Sequence, residues 1–200
     1  MNDDVQLLTI FPKVIYYSPK FCTDKLDYLT DAIQNLPVST KKDTALSVNS
    51  SHTTYNQLHL LVEFKEFAEN ILTSCKEYSS SLGYSQSQCD SLQIANMWFN
   101  QSDQGDFLFP HIHKGSMFSG VAYIKTPLDN TIVFQELSDM MHEPDEPNTL
   151  SYSSQWINCI PGLLLIFKSN MIHSCPRQES LGEKLIISFN IIPREITYEK

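Results

Sequence analysis

The sequence predicts an α+β fold in which N-terminal helices support a jelly-roll, cupin-like β-barrel. Two observations carry this. Apolar positions recur at three- and four-residue steps through the first half of the chain, and from residue 92 onward the pattern changes to short β-type runs separated by turn residues. Size is the third consideration. A chain of 200 residues, 42% of them hydrophobic, can bury one substantial core but is short for two. We therefore expect one domain over 1–200, with 1–91 forming a strand and helices that pack on a barrel built by 92–200.

The opening segment 5–17 is rich in β-formers and interrupted by Pro12, which suits an edge strand or two short ones. Next, Thr23 is placed to cap a helix whose apolar face is Leu26, Leu29, Ile33 and Leu36, and Pro37 stops it. A polar stretch, 39–54, separates this from a second helix. That helix carries Leu58, Leu61, Phe64, Ala68, Ile71, Cys75, Tyr78 and Leu82 on one stripe, as expected of a support for a sheet. Residues 78–91, Ser-rich and containing Gly83, read as helix end and loop. Strands are expected at 92–100, 118–125, 131–135, 155–159, 163–168 and 184–192, and folding two sheets of such strands together covers most of their edges.

Composition narrows the function. The five cysteines are scattered and never form a C-x-x-C pair, which fits neither a disulfide framework nor a zinc ribbon. A net charge of −9 repels phosphate backbones, so nucleic acid is disfavoured as a partner. No run approaches the roughly 20 apolar residues that span a bilayer, and the acidic start MNDDVQLL is unlike a secretory leader. The expectation is a cytoplasmic protein without a membrane partner.

Three of the six histidines fall where strands begin or end. His111 and His113 are two residues apart, so on an extended chain both point to one face and can grip a single ion, with Ile112 turned away. His173, after the run 163–167 and the turn Ser169-Asn170, is the best third ligand. Any one of them alone reads better as a surface or hydrogen-bonded histidine; together they point to a metal. His52, His59 and His142 are not assigned to it. The last strand places Leu185, Ile187, Phe189 and Ile191 on one face and Lys184, Ile186, Ser188, Asn190 and Ile192 on the other, which is too polar for a sealed core. Lys184, eleven positions after His173, either neutralises a carboxylate of a bound diacid or snorkels to solvent.

With these residues in view the chain resembles the 2-oxoglutarate- and Fe(II)-dependent oxygenases of the prolyl-hydroxylase-like kind, in particular small members from bacteria and their viruses. The resemblance rests on the order of Leu8-Thr9-Ile10-Phe11-Pro12, Met97-Trp98-Phe99-Asn100, Pro110-His111-Ile112-His113, Ser119-Gly120-Val121-Ala122-Tyr123, Pro161-Gly162-Leu163-Leu164-Leu165-Ile166-Phe167, His173 and Ser188-Phe189-Asn190. It implies a double-stranded β-helix, Fe(II) on His111 and His173, and 2-oxoglutarate with its distal carboxylate on Lys184. Tyr123, Asn100 and Ser188 become candidate co-substrate contacts, although Tyr123 reads equally as core and Asn100 as a strand end. Most such enzymes carry Asp or Glu where this chain has His113, so the metal set becomes three histidines, unless Asp103, Asp106 or Glu136 supplies a carboxylate.

The implied reaction is hydroxylase-type, with O2 and a small-molecule or protein side-chain substrate. Three other readings remain open: a three-histidine cupin dioxygenase without 2-oxoglutarate, a zinc-binding cupin-like protein, and, last, a binding or sensing barrel without metal. The acidic loop 137–154 is either a lid or an ordinary solvated loop.

Overall fold

In the computed structural model, residues 12–36, 40–44, 47–53, 56–136, 145–146, 148 and 151–194 are described. The elements run β1 (Tyr16–Ser18), α1 (Leu26–Gln34), β2 (Thr40–Thr44), β3 (Ser47–Thr53), α2 (Lys65–Ser81), α3 (Gln86–Asp90), β4 (Leu92–Ser102), β5 (Phe107–His111), β6 (Phe118–Lys125), β7 (Thr131–Gln135), β8 (Ser154–Asn158), β9 (Leu164–Lys168), β10 (Ile172–Cys175) and β11 (Lys184–Pro193). The strands lie in the order β1-β9-β6-β11-β4-β3-β5-β10-β7-β8, all neighbours antiparallel, with β2 paired to β3.

The path curls on itself, which is what makes a double-stranded β-helix of it. Val121 and Tyr123 of β6, Leu165 and Phe167 of β9 and Ile186 of β11 share one buried cluster with Ile132 and Phe134 of β7, from the other end of the strand order. The outer faces of β4, β6, β9 and β11 form a second cluster with the helices, in which Leu185, Ile187, Phe189 and Ile191 meet Ile71, Cys75 and Tyr78 of α2 and Leu29 and Ile33 of α1. The alternation along β11 is thus expressed as two environments: apolar side chains toward the helices, Lys184, Ser188 and Asn190 toward the barrel interior. Each fully buried Leu, Ile or Phe here contributes about 1.5–3 kcal/mol. Gly120 is required where β6 crosses β11, because a Cβ there would lie 2.2 Å from Cζ of Phe189 and 2.6 Å from the Leu165 carbonyl oxygen.

Several expectations are corrected. The first helix begins at Leu26 with Lys25, not Thr23, at its N-cap, and no side chain caps it. Leu58 to Phe64 form two single 3-10 turns (Leu58–Leu60 and Val62–Phe64) before α2, since Leu61 between them is extended. Residues 78–91 are not loop throughout. They hold the end of α2 and the short α3, nucleated by a capping box in which Ser85 Oγ accepts from Gln88 N and Gln88 Oε1 accepts from Ser85 N. The polar stretch 39–54 supplies β2 and β3; the backbone of β3 bridges β4 to β5, and β2 pairs with β3. Strands β5 and β10 were not anticipated. Of the opening segment 5–17, only the end is described, as β1 paired with β9, and residues 5–11 lie outside the described set.

Candidate active site

His111 is the last residue of β5 and pairs directly with His173 on β10. Their rings are 4.3 Å apart between centroids. Strand β5 contains Pro110 and carries an irregularity against β10, where His173 pairs with His111 but Cys175 pairs with Leu108. A proline cannot donate to the ladder, and a bulge is where a strand tolerates one. The strand ends there, so His113 does not share it, and the expected strand pairing of residues 111 and 113 is corrected: His113 stands on the following loop. It reaches the other two because its backbone N–H donates to the Ser169 carbonyl, 2.9 Å away, in the turn between β9 and β10.

The three side chains converge, with one nitrogen from each within 4.8 Å of the others. His113 Nε2 lies 3.3 Å from His173 Nε2. His111 Nδ1 lies 2.8 Å from the Phe109 carbonyl oxygen and His173 Nδ1 lies 2.9 Å from that of Met171. A carbonyl accepts only, so both Nδ1 atoms carry the proton and both Nε2 atoms keep a lone pair, that of His173 facing His113 Nε2. Phe167 meets the His173 ring edge-on at 4.7 Å, and Trp98 lies 6.1 Å from His113. Burial is the main force on all three. It lowers His111, lowers His113 to about 4 with the His111 charge assisting, and lowers His173 to about 3 with the same assistance. Near pH 7 the cluster is therefore neutral and offers three lone pairs.

Among the described residues no carboxylate joins the cluster. Asp106 instead accepts from the Asp103 backbone N–H at 2.8 Å, and Glu136 pairs with Lys13 at 2.9 Å on the surface. His59 lies outside the cluster, and His142 and most of 137–154 lie outside the described residues.

The remaining candidates line the interior beneath the histidines. Lys184 is 4% exposed, opposite Ser102 at the start of β11, and has no acidic partner among the described residues. The Tyr123 hydroxyl is buried without a hydrogen-bond partner of ordinary geometry, next to the Cys159 thiol. Burial raises the Tyr123 hydroxyl well above its usual range and pushes the Cys159 thiol up to about 12. Asn100 Nδ2 donates to Ser188 Oγ at 3.0 Å, so these two are brought together, further along the same interior face. Cys159 and Cys175 were not singled out from the sequence. Both interact with Tyr123, and Cys159 also with Lys184. Cys175 could have been found, since it stands two residues after His173 on one strand and so shares its face.

Residues 96–190 match the profile of a family described as "Putative 2OG-Fe(II) oxygenase". Over that segment, which holds all three histidines, the chain matches the 2-oxoglutarate/Fe(II) oxygenases. The curated proteins contain no match. Among solved structures the fold is shared with HygX from Streptomyces hygroscopicus, determined with nickel and 2-oxoglutarate bound (13% identity, TM-score 0.64, covering 94% of this chain and 85% of that one). It is shared also with a Pseudomonas putida prolyl-4-hydroxylase (13% identity, TM-score 0.62, 91% and 94%). The epimerase SnoN from nogalamycin biosynthesis is a third example (12% identity, TM-score 0.66, 94% and 83%). The matching family is named for Fe(II) and 2-oxoglutarate. The residues of this chain fit both. Three neutral imidazoles form a donor set that suits a first-row divalent metal, and a buried lysine without a counter-charge suits a dianion.

Proposed function

We propose that this oxygenase holds Fe(II) on His111, His113 and His173 and 2-oxoglutarate on Lys184 and Tyr123, and hydroxylates a small molecule or a protein side chain. The observation that carries it is the convergent histidine triad together with a buried lysine that has no acidic partner among the described residues. Cys175 lies two residues beyond His173, about 7 Å along an extended strand, and it neighbours the Tyr123 and Cys159 group that includes Lys184. On this reading a five-carbon diacid has one carboxylate at the histidines and the other at the Lys184 ammonium.

Bound together, Fe(II) and 2-oxoglutarate supply the activation of O2 and, through oxidative decarboxylation, two of the four electrons it needs. This chain's residues do the rest. Lys184 neutralises the distal carboxylate through a charge-assisted hydrogen bond, and Tyr123 donates the O–H that otherwise has no good partner. Ile132, Phe134, Leu165 and Phe167 wall the interior against water. Asn100 and Ser188, bonded to each other, border the co-substrate on the β4–β11 side. Three neutral imidazoles leave the ion its full double charge, and a chelating dianion balances it without a protein carboxylate. An open hollow of about 660 Å³ at His111, lined by Pro110, Ile112, Gln135, Glu136 and Ile172, is the entrance we assign to the substrate.

The chain works as a single domain on this reading, because α1 and α2 complete the core of the barrel's outer face. Its five cysteines are free and buried, in keeping with a reducing cytoplasm. Among the described residues no helix is long and apolar enough to cross a membrane.

Anaerobic titration of the iron-loaded protein with 2-oxoglutarate tests the assignment through the weak visible charge-transfer band of the chelate. The band should saturate in the wild type, need far more 2-oxoglutarate with Lys184→Ala, and vanish with His113→Ala. Bound iron without any band would overturn the co-substrate assignment in favour of a three-histidine dioxygenase that binds its substrate directly.

A further inference from the structure

His111 and His173 are carried by strands β5 and β10, which pair with each other. His113 stands on a loop, and its backbone N–H donates to the Ser169 carbonyl at 2.9 Å. Ser169 opens the turn that follows β9 and leads into β10, so one turn both takes the His113 backbone and delivers His173. Its own N–H donates to the Met117 carbonyl at 3.1 Å. The Ser169 side chain adds a second tie. Its hydroxyl lies 2.7 Å from Ser119 Oγ on β6, Ser119 Oγ donates to Asn190 Oδ1 on β11 at 2.7 Å, and Asn190 Nδ2 donates to Asn96 Oδ1 on β4 at 2.8 Å. A hydroxyl has one proton, and Ser119 gives its own to Asn190, so the Ser169 hydroxyl donates to Ser119. These bonds run one way across three adjacent strands, because Asn190 stands in register with Ser119 on one side and Asn96 on the other. Ser169, Ser119 and Asn190 are 2%, 1% and 8% exposed. Buried hydroxyls and amides are costly unless satisfied, and a satisfied network specifies one arrangement of the elements it joins.

We infer that Ser169 and Ser119 are positioning residues for His113. The chain of bonds from Ser169 through Ser119 and Asn190 to Asn96 fixes the β9–β10 turn against the sheet. The turn's carbonyl then holds the loop where His113 Nε2 stands 3.3 Å from His173 Nε2. Whether the site presents three histidines or two is thus set by side chains outside the triad. The inference rests on the reading of the triad as a metal site for its use, while the bonds themselves stand without it. Loss of the partners behind ligating histidines weakens metal binding by about 10- to 100-fold.

The test uses the full-length protein, first metal-free and then with cobalt(II) as probe. Amide hydrogen exchange by NMR reads the tie in the metal-free protein. Relative to the β11 amides of the same variant, the His113 N–H should exchange about 10-fold faster in Ser169→Ala and return to the wild-type rate in Ser169→Thr, which keeps the hydroxyl. Ser119→Ala, which breaks the chain one bond further on, should act like Ser169→Ala and serves if that variant fails to fold. In the cobalt protein each ring bound through Nε2 shows its Nδ1–H as a paramagnetically shifted, solvent-exchangeable resonance. The resonance that disappears in His113→Gln should be lost in Ser169→Ala and return in Ser169→Thr, with cobalt affinity falling about 10- to 100-fold and recovering in parallel. A network that serves stability alone would lower the urea midpoint and leave that resonance in place. Unchanged His113 exchange in whichever alanine variants fold overturns the inference, as does faster exchange with the His113 resonance and the cobalt affinity intact. A wild type that binds no cobalt while His113 exchange still responds to Ser169→Ala overturns the metal-site reading and leaves the tie between the network and His113 standing.

Discussion

Lowering the pH of the metal-free protein from 7 to 5 should destabilise it, by an amount that the buried histidines set. His173 is held at about 3 and His113 at about 4, against 6.5 in an exposed chain, chiefly by burial. As pH falls below 6.5 the unfolded chain takes up protons that the folded triad refuses. Stability is therefore full above 6.5, declines below it, and stops declining only beneath the folded values. Each such histidine costs about 1.4 kcal/mol per pH unit. At pH 5, about 1.5 units below 6.5, His173 and His113 together cost about 4 kcal/mol. His111 and His59, also lowered by burial, add in the same direction. That is a large share of a domain stability of about 5–15 kcal/mol. Urea unfolding of the apo-protein at pH 7, 6 and 5 reads it: with an m-value of about 2 kcal/mol/M, the midpoint should drop by about 2 M. His173→Gln should flatten the slope, and saturating divalent metal should restore stability near pH 6. A midpoint that does not move between pH 7 and 5, or that moves equally in His173→Gln, would refute the burial argument.

Three other perturbations separate the roles assigned to individual residues. Lys184→Ala removes a charge-assisted bond worth about 1.5–3 kcal/mol and should weaken 2-oxoglutarate binding roughly 10- to 150-fold, measured by calorimetry on the metal-loaded protein. Tyr123→Phe removes a buried hydroxyl that lacks a good partner, so apo stability in urea should hold or rise by about 1 kcal/mol while 2-oxoglutarate affinity falls severalfold. Equal loss of both would mean that the hydroxyl serves packing alone. Gly120→Ala places a methyl against the Phe189 ring and the Leu165 carbonyl and should destabilise the fold by about 2–3 kcal/mol in urea, with a larger loss if β6 cannot shift.

The sequence by itself determined what depends on local period. The stripe on α2 and the two-faced β11 are written in spacing alone, because 3.6- and 2-residue periods decide which side chains share a face. So are β6, β7 and β9, which are nearly continuous apolar runs. His111 and His113 stood out by their two-residue spacing, and Lys184 by opening the two-faced β11; that position 113 carries no carboxylate is read directly from the sequence. What only the tertiary structure decided is whatever lacks that period. Strand β5 has Pro110 inside it and survives because β10 accepts a bulge, and β2 and β3 have polar sequences whose place is set by backbone pairing, β3 with β4 and β5 and β2 with β3. His113 looked like a strand partner of His111. It reaches the site instead by a backbone hydrogen bond to Ser169, which stands in another turn 56 positions later (169 − 113). Cys159 and Cys175 approach Tyr123 only once β6, β10 and the segment after β8 enclose one interior. Contacts of this kind carry no pattern along the chain, since the residues that make them are joined by the closure of the barrel and not by their spacing.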